Sequence, residues 1–163
     1  MIKDQTKKRW WVVSGTLAVG IVFLCIPAGA GCKNYNPDWV SLVLIYWCFA
    51  IPSRIKLTSA WLTGIFLDVV TFGALGRYAL TKTLIVFIAN RIAFRVRIFP
   101  IWQQSLIMLV LLLLESLVLI LADFLIVGAN VSYSPIVGVV IGGALWFPLY
   151  FVLRKIRHWA RLP

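Results

Sequence analysis

The sequence has few acidic residues and almost no histidine. Of its 163 residues, five are Asp or Glu and one is His, whereas 16 are Lys or Arg. The three cysteines show no Cys-x-x-Cys spacing, so no zinc or haem site and no cofactor are expected. The motifs Gly-x-Ser-x-Gly and His-Glu-x-x-His are also absent. The sequence therefore gives no support for an enzyme.

The chain also has no long polar stretch that could form a soluble domain. Apolar residues make up 62% of it and its mean hydropathy is +0.96, whereas soluble domains contain roughly 45–50% apolar residues. The net charge of +11 comes from basic residues at the ends of apolar runs, which does not resemble a nucleic-acid footprint. We therefore expect one membrane domain over residues 1–163, embedded in a lipid bilayer, and no nucleic-acid partner.

Six apolar runs predict an all-α membrane protein with about six transmembrane helices. The expected helices lie near residues 10–28, 39–51, 59–72, 79–92, 102–122 and 136–152. The first is longer than the apolar core of a signal peptide, so we expect it to be uncleaved, although Ala28-Gly29-Ala30 resembles a signal-peptide cleavage site and Ala30-Gly31-Cys32 resembles a lipobox ending. The second is short for a span. It is therefore tilted, packed inside the bundle, or preceded by a partly inserted loop.

The basic residues predict the orientation in the membrane. With a cytoplasmic N-terminus and alternating sides, thirteen of the Lys and Arg residues are inside and three are outside. This bias predicts a multi-pass membrane protein with both ends in the cytoplasm. Residues 91–100 are basic and amphipathic, which favours a segment lying on the membrane interface.

Asp68 is the sharpest candidate for a functional residue. It lies nine residues beyond Ser59, roughly 13 Å into the bilayer at the rise of a helix, where an unpaired carboxylate is costly. One interpretation is an ion site, a proton site or a contact to a partner helix. The other, which we favour, is a structural carboxylate that accepts hydrogen bonds from amides of the Gly73–Gly76 turn.

Two further charged residues are expected within the bundle. Lys82 and Glu115 have similar predicted depths, which suggests an ion pair between them. Asp123, near the outer end of the fifth helix, is the alternative partner of Lys82. All of these charged residues are candidates for contacts with a partner protein.

Four glycines are candidates for close packing. Gly64 precedes Asp68 by four residues and so shares its helix face, and Gly76 lies in the turn that follows. Gly138 and Gly142 form a Gly-x-x-x-Gly pair, which permits close approach of helices either within the bundle or in a homodimer.

Several motifs between residues 36 and 157 point to one family. They are Pro37-Asp38-Trp39, Gly64-Ile65-Phe66-Leu67-Asp68 with Leu75-Gly76-Arg77, Trp102-Gln103-Gln104, and Leu145-Trp146-Phe147-Pro148. The block from Asp68 to Gly76 and Trp102-Gln103-Gln104 are the most specific. With these motifs, its length and its basic tail, the chain resembles the MreD family of rod shape-determining proteins.

The resemblance implies a non-enzymatic role in the cell-elongation complex of rod-shaped bacteria. Its implied partners are the single-span protein MreC, the actin homologue MreB, and the glycosyltransferase RodA with its transpeptidase. The resemblance also implies a fold similar to the substrate-binding subunits of energy-coupling-factor transporters. A small-molecule-binding transporter subunit is therefore the alternative, and it requires a ligand-sized cavity with convergent polar groups.

Overall fold

The chain forms a bundle of helices. The structure, a computed structural model, describes residues 2–25, 37–51, 55–72, 74–127 and 134–160. Within these ranges there are six helices, which confirms the predicted all-α class. They are α1 (Ile2–Cys25), α2 (Trp39–Ala50), α3 (Leu57–Val70), α4 (Arg77–Val96), α5 (Ile101–Val127) and α6 (Ser134–Trp159).

Three helices extend beyond their apolar runs into basic segments, and α5 continues to Val127, past its predicted end at residue 122. The α1 helix begins at Ile2 rather than near residue 10, α4 continues to Val96, and α6 continues to Trp159. Lys and Arg are good helix formers, so the backbone hydrogen bonds continue past the last apolar residue. Residues 91–96 of the basic, amphipathic stretch therefore form the last turns of α4, and their position at the membrane interface stays a prediction. The lipobox-like residues 30–32 lie outside the described ranges.

The α2 helix lies at the centre of the bundle and contacts α1, α4, α5 and α6. Every residue from Val40 to Ala50 is buried. At about 1.5 Å per residue α2 is roughly 18 Å long, which is short of the roughly 30 Å of a bilayer core. The structure shows packing inside the bundle, one of the three alternatives for this short run, whereas most of the preceding loop lies outside the described residues. Neighbouring helices shield its ends from lipid.

Helices that follow one another in sequence from α2 to α6 alternate in direction. The beginnings of α2 and α4 meet where Lys82 contacts Ser41, and their ends meet where Arg97 contacts Ala50. The α6 helix lies beside α2 in the same direction, whereas α3 and α5 run opposite to α4. This alternation is compatible with the six crossings predicted from the charges. The number of spans and the side of each end remain predictions.

The outer surface of the bundle is apolar. The segments Ile101–Leu125 of α5 and Gly138–Trp159 of α6 are long and apolar enough to cross a membrane, and only a minority of their residues is buried inside the protein. Large apolar side chains such as Leu106, Leu117 and Phe124 are more than half exposed. A protein in water rarely exposes so much contiguous apolar surface, so this surface is suited to lipid or to partner helices.

Gly64 allows the backbones of α3 and α4 to touch. A Cβ atom added at Gly64 would lie 2.6 Å from the amide nitrogen of Ala79 and 2.7 Å from the carbonyl oxygen of Tyr78. These are backbone atoms of the first turn of α4, which cannot move aside as a flexible side chain can. The close approach of the α3–α4 hairpin therefore requires glycine at this position.

We expect Gly64→Ala to destabilise the protein by about 1–3 kcal/mol, because the added methyl group overpacks a backbone contact. Unfolding of the purified protein in mixed micelles, followed by circular dichroism, measures the change. Gly15→Ala is the matched control, since a Cβ atom at Gly15 in α1 would meet nothing within 4 Å. Equal stability of the two variants would contradict the close contact.

Candidate functional site

The site begins at the first turn of α2. Asp38 is the N-cap residue of this helix, and its Oδ1 atom accepts a hydrogen bond from the Ser41 amide at 3.1 Å. Aspartate is a preferred N-cap because its carboxylate satisfies amide groups that have no partner within the helix. The cap leaves the second oxygen, Oδ2, available to a neighbouring helix.

Lys82 of α4 contacts this second oxygen of Asp38. Its side chain is fully buried, and its Nζ atom donates to Oδ2 of Asp38, to Oγ of Ser41 and, at 2.6 Å, to Oε1 of Glu115. An ammonium group has three hydrogens to donate, so its bonding capacity is complete. The Tyr78 ring also lies below the charge, with its centroid 5.5 Å from Nζ. One lysine thus connects α2, α4 and α5.

Glu115 completes the cluster from α5. It is almost wholly buried, and its Oε1 atom also accepts a hydrogen bond from the Ser41 hydroxyl at 2.6 Å. Its second oxygen, Oε2, is buried without a hydrogen-bond partner among the described residues. We call Asp38, Ser41, Lys82 and Glu115 the buried charge cluster. Its groups are occupied mainly by one another.

The structure brings together the Lys82–Glu115 pair hypothesised from the sequence. Asp123, the alternative partner of Lys82, is wrong in that role, because it forms an ion pair with Nη1 of Arg77 at 2.7 Å. Arg77 begins α4 and is closer to the end of α5 than Lys82 is. Sequence reasoning did not select Asp38 as a site residue. The available signal was an aspartate directly before an apolar helix, which is typical of an N-cap.

Asp68 has a structural role in the turn before α4. Its Oδ1 atom accepts a hydrogen bond from the Tyr78 amide at 2.8 Å, and its Oδ2 atom accepts from the amides of Gly76 at 2.9 Å and Ala79 at 3.3 Å. Gly76 is the N-cap of α4, has no side chain, and has a φ of 97° that favours glycine. Asp68 therefore caps α4 from α3, as the structural interpretation expected.

The Gly-x-x-x-Gly pair faces the interior of the same chain. A Cβ atom at Gly142 would lie 2.9 Å from Cδ1 of Leu112 in α5, and Gly138 is also buried. The Ser105 hydroxyl of α5 donates to the carbonyl of the adjacent Gly143 at 3.2 Å. These residues thus pack α6 against α5, and this face is not free for a second copy of the chain.

Charge is divided between the two ends of the bundle. The carboxylates whose side chains the structure describes all lie at the end where α2 and α4 begin, namely Asp38, Asp68, Glu115 and Asp123. The opposite end, where these helices finish, carries Lys56, Arg91, Arg95, Arg97, Arg154, Lys155 and Arg157. Within the described ranges, no three His, Cys, Asp or Glu side chains group as metal ligands.

The apolar surface and the enclosed ion cluster define a helical membrane protein whose charged side chains join its own helices. A family model described as rod shape-determining protein MreD matches residues 5–156, and the chain belongs to this family. Membership assigns it to a membrane protein family with a role in rod-shape determination, which confirms the resemblance seen in the sequence.

A curated relative supports the same conclusion. The chain is 27% identical over 154 residues to the rod shape-determining protein MreD of Haemophilus influenzae (strain ATCC 51907 / DSM 11121 / KW20 / Rd). The alignment covers 94% of this chain and 95% of that protein, so the similarity extends over almost all of both. No solved structure matches the chain.

We expect Lys82→Met to destabilise the protein by about 3–5 kcal/mol, because it leaves the buried carboxylate of Glu115 and the partly buried carboxylate of Asp38 without their counter-ion. Glu115→Gln should also destabilise the protein. The double variant should lose less free energy of unfolding than the sum of the two single variants, with a coupling energy of at least ~1 kcal/mol. Unfolding in mixed micelles measures the double-mutant cycle. Lys155→Met, at an exposed position on α6, is the control. Additive losses would show that the pair is not coupled.

Asp68→Ala is expected to destabilise the α3–α4 hairpin by about 1–2 kcal/mol or more, because it removes three hydrogen bonds to the start of α4. Asp68→Asn should be intermediate, since an amide retains one acceptor oxygen but turns an NH₂ group toward backbone amides. Hydrogen exchange of the amides of Tyr78 and Ala79 reports the effect locally. Unchanged protection in Asp68→Ala would contradict the cap.

Proposed function

We propose that this chain is a non-enzymatic component of the inner-membrane machinery for cell elongation. In this proposal it spans the membrane about six times, with both ends in the cytoplasm. It holds an MreC-like single-span protein and, directly or through it, the MreB cytoskeleton and a RodA-type glycosyltransferase with its transpeptidase. The observation that carries the proposal is the family match over residues 5–156.

The geometry of the buried charge cluster supports a scaffold. Lys82 is fully enclosed, and its three hydrogen bonds go to groups of this chain. Such a closed arrangement fixes helices relative to one another and offers no free ammonium to a substrate. We therefore propose that Asp68, Lys82, Glu115 and Asp123 contribute to partner binding indirectly, through the shape of the bundle.

The outer surface supports the same role. Partner helices in a membrane associate through close packing, because lipid supplies no hydrophobic drive between them. The α5 and α6 helices together expose long apolar faces outside the core, and these faces offer area for such packing. A bundle stiffened from within would present these faces in a fixed arrangement, which is what a scaffold requires.

One observation supports the alternative function, a small-molecule-binding subunit of a transporter. A cleft of about 970 Å³ lies at the basic end of the bundle, bordered by Arg97, Gln104 and Arg154 among others. This is within the size range of ligand sites. A transporter subunit would place its cargo there and would associate with ATPases rather than with proteins of wall synthesis.

The test is a pull-down of the tagged full-length protein from its own membranes in a mild detergent, read by quantitative mass spectrometry. We expect enrichment of a single-span periplasmic protein together with MreB- and RodA-like proteins. Lys82→Met should lower their recovery at equal amounts of bait, because it loosens the helices that shape the outer faces. Lys155→Met, which leaves the cluster intact, should not.

Enrichment of cytoplasmic ATPases with a coupling membrane subunit, and of no elongation proteins, would refute the scaffold and favour the transporter subunit. Full partner recovery with Lys82→Met at reduced stability would show that the cluster matters for folding alone. In that case the proposed indirect role of these charged residues in partner binding would be wrong.

A further inference from the structure

The cleft at the basic end has features of a binding site. It is formed by the last turns of α2, α4 and α6 with the first turn of α5, and its volume is about 970 Å³. It lies at the end of the bundle opposite to the buried charge cluster, so the two sites share no residue. Its volume corresponds to a small molecule or a lipid headgroup rather than to a folded segment of protein.

The floor of the cleft is a cluster of aromatic rings. Tyr46 and Phe49 of α2 face Trp146 and Tyr150 of α6, with ring centroids 5.9–6.3 Å apart. Tilted and edge-on contacts of this kind hold rings in fixed positions. Trp146 is fully buried and Tyr46 nearly so. The floor is therefore a preformed apolar surface.

The rim of the cleft is basic. Arg97, Arg154, Arg157 and His158 line it, and no lining residue is acidic. Arg154 and Arg157 are three residues apart and so share one face of α6. Every carboxylate whose side chain the structure describes is already engaged at the other end of the bundle. Arg97 donates to the carbonyls of Phe49 and Ala50, and Arg157 lies beside the Tyr46 hydroxyl. These partners are neutral, so no carboxylate among the described residues balances the charge of the rim.

Two polar atoms of cleft residues are buried without a partner among the described residues. They are Nε1 of Trp146, a donor, and Oδ1 of Asn90, an acceptor. The orientation of Asn90 is fixed, because its Nδ2 atom donates to the carbonyl of Ile55 at 2.9 Å. Buried polar groups are normally satisfied. Both residues line the cleft, so these two atoms are the nearest unpaired groups for a ligand that carries an acceptor and a hydroxyl donor.

We propose that this cleft binds the headgroup of an anionic phospholipid that carries a phosphodiester and a free hydroxyl group, as in phosphatidylglycerol. The phosphate would accept hydrogen bonds from Arg154 and Arg157, whose guanidinium groups match phosphate geometry. The headgroup hydroxyl would donate to Asn90. Of the function proposed above, this proposal requires only that the protein lies in a membrane. It does not require any of the proposed protein partners.

A lipid fits better than an acidic protein segment. Phe94 lines the same cleft as the arginines and is 70% exposed, so apolar surface borders the cleft together with the aromatic floor. A phospholipid places acyl chains next to its phosphate, which matches this neighbourhood. An acidic peptide would satisfy the arginines but would leave the aromatic wall without a partner.

The test uses delipidated full-length protein in a nonionic detergent and counts bound lipid by native mass spectrometry. We expect one molecule of phosphatidylglycerol to be retained, with weaker retention of phosphatidylcholine, which is zwitterionic. Phosphatidylethanol, which has the same charge but no hydroxyl, should also bind more weakly. Soluble glycerol phosphate should not compete at equal concentration.

Arg154→Gln with Arg157→Gln should weaken phosphatidylglycerol binding by about tenfold or more, because charge-assisted hydrogen bonds to phosphate are lost. Arg91→Gln with Arg95→Gln is the matched control. It removes the same charge at the same end of the bundle, from exposed residues of α4 that do not line the cleft. Its binding should stay within about twofold of the original protein, as expected for surface charges outside the contact.

An equal loss of phosphatidylglycerol binding in both double variants would overturn the proposal, since it would show that positive charge at this end of the bundle attracts the lipid without a specific site. Equal retention of phosphatidylcholine, or competition by glycerol phosphate, would also overturn it. If Arg154→Gln with Arg157→Gln lowers recovery of a protein partner and leaves lipid retention unchanged, the cleft belongs to an acidic protein segment instead.

Discussion

The burial of the Lys82 ammonium group constrains the arrangement of three helices. A charged group in this position is tolerated only when each of its hydrogens reaches an acceptor, and the acceptors here come from α2 and α5. Rotating α4 by one residue, or about 100°, would separate the ammonium from two carboxylates. Contacts between apolar side chains depend less on the rotation of a helix about its axis than these hydrogen bonds do. The cluster therefore fixes the relative positions of α2, α4 and α5, and the remaining helices are placed against them.

The α3–α4 hairpin is fixed by different means. Asp68 caps α4 from the neighbouring helix, and Gly64 brings the two backbones into contact. Both contacts involve residues close in sequence, so they do not depend on α2 or α5. The first turns of α4 thus meet a backbone contact on one side and the ion cluster on the other. This is the most strongly determined region of the bundle, and the carboxylates described by the structure all lie near it.

The sequence allowed much of the fold to be predicted, because the apolar runs and the depth of charged residues follow simple distances. The six helices and the Lys82–Glu115 contact were found in this way. Asp38 was missed because it lies before an apolar run rather than within one, at a helix start where a carboxylate already has a role as the N-cap. Helix ends were underestimated since hydrogen bonding does not stop with hydrophobicity. The cleft could not be predicted, because four helices contribute to it and each arginine alone indicates only topology.

The order of the cluster residues along the chain bears on how the protein enters the membrane. Ribosomal synthesis proceeds from the N-terminus, so Asp38 emerges 44 residues before Lys82, and Glu115 follows 33 residues later. The side chain of Asp38 is still 25% exposed in the folded bundle. Its carboxylate can therefore stay in contact with water before Lys82 is present. Lys82 is thus synthesised after the carboxylate of Asp38, and Glu115 is synthesised after the ammonium group of Lys82. Lys82 and Glu115, the two buried ion-pair partners of the cluster, thus each have an opposite charge earlier in the chain that is available for pairing.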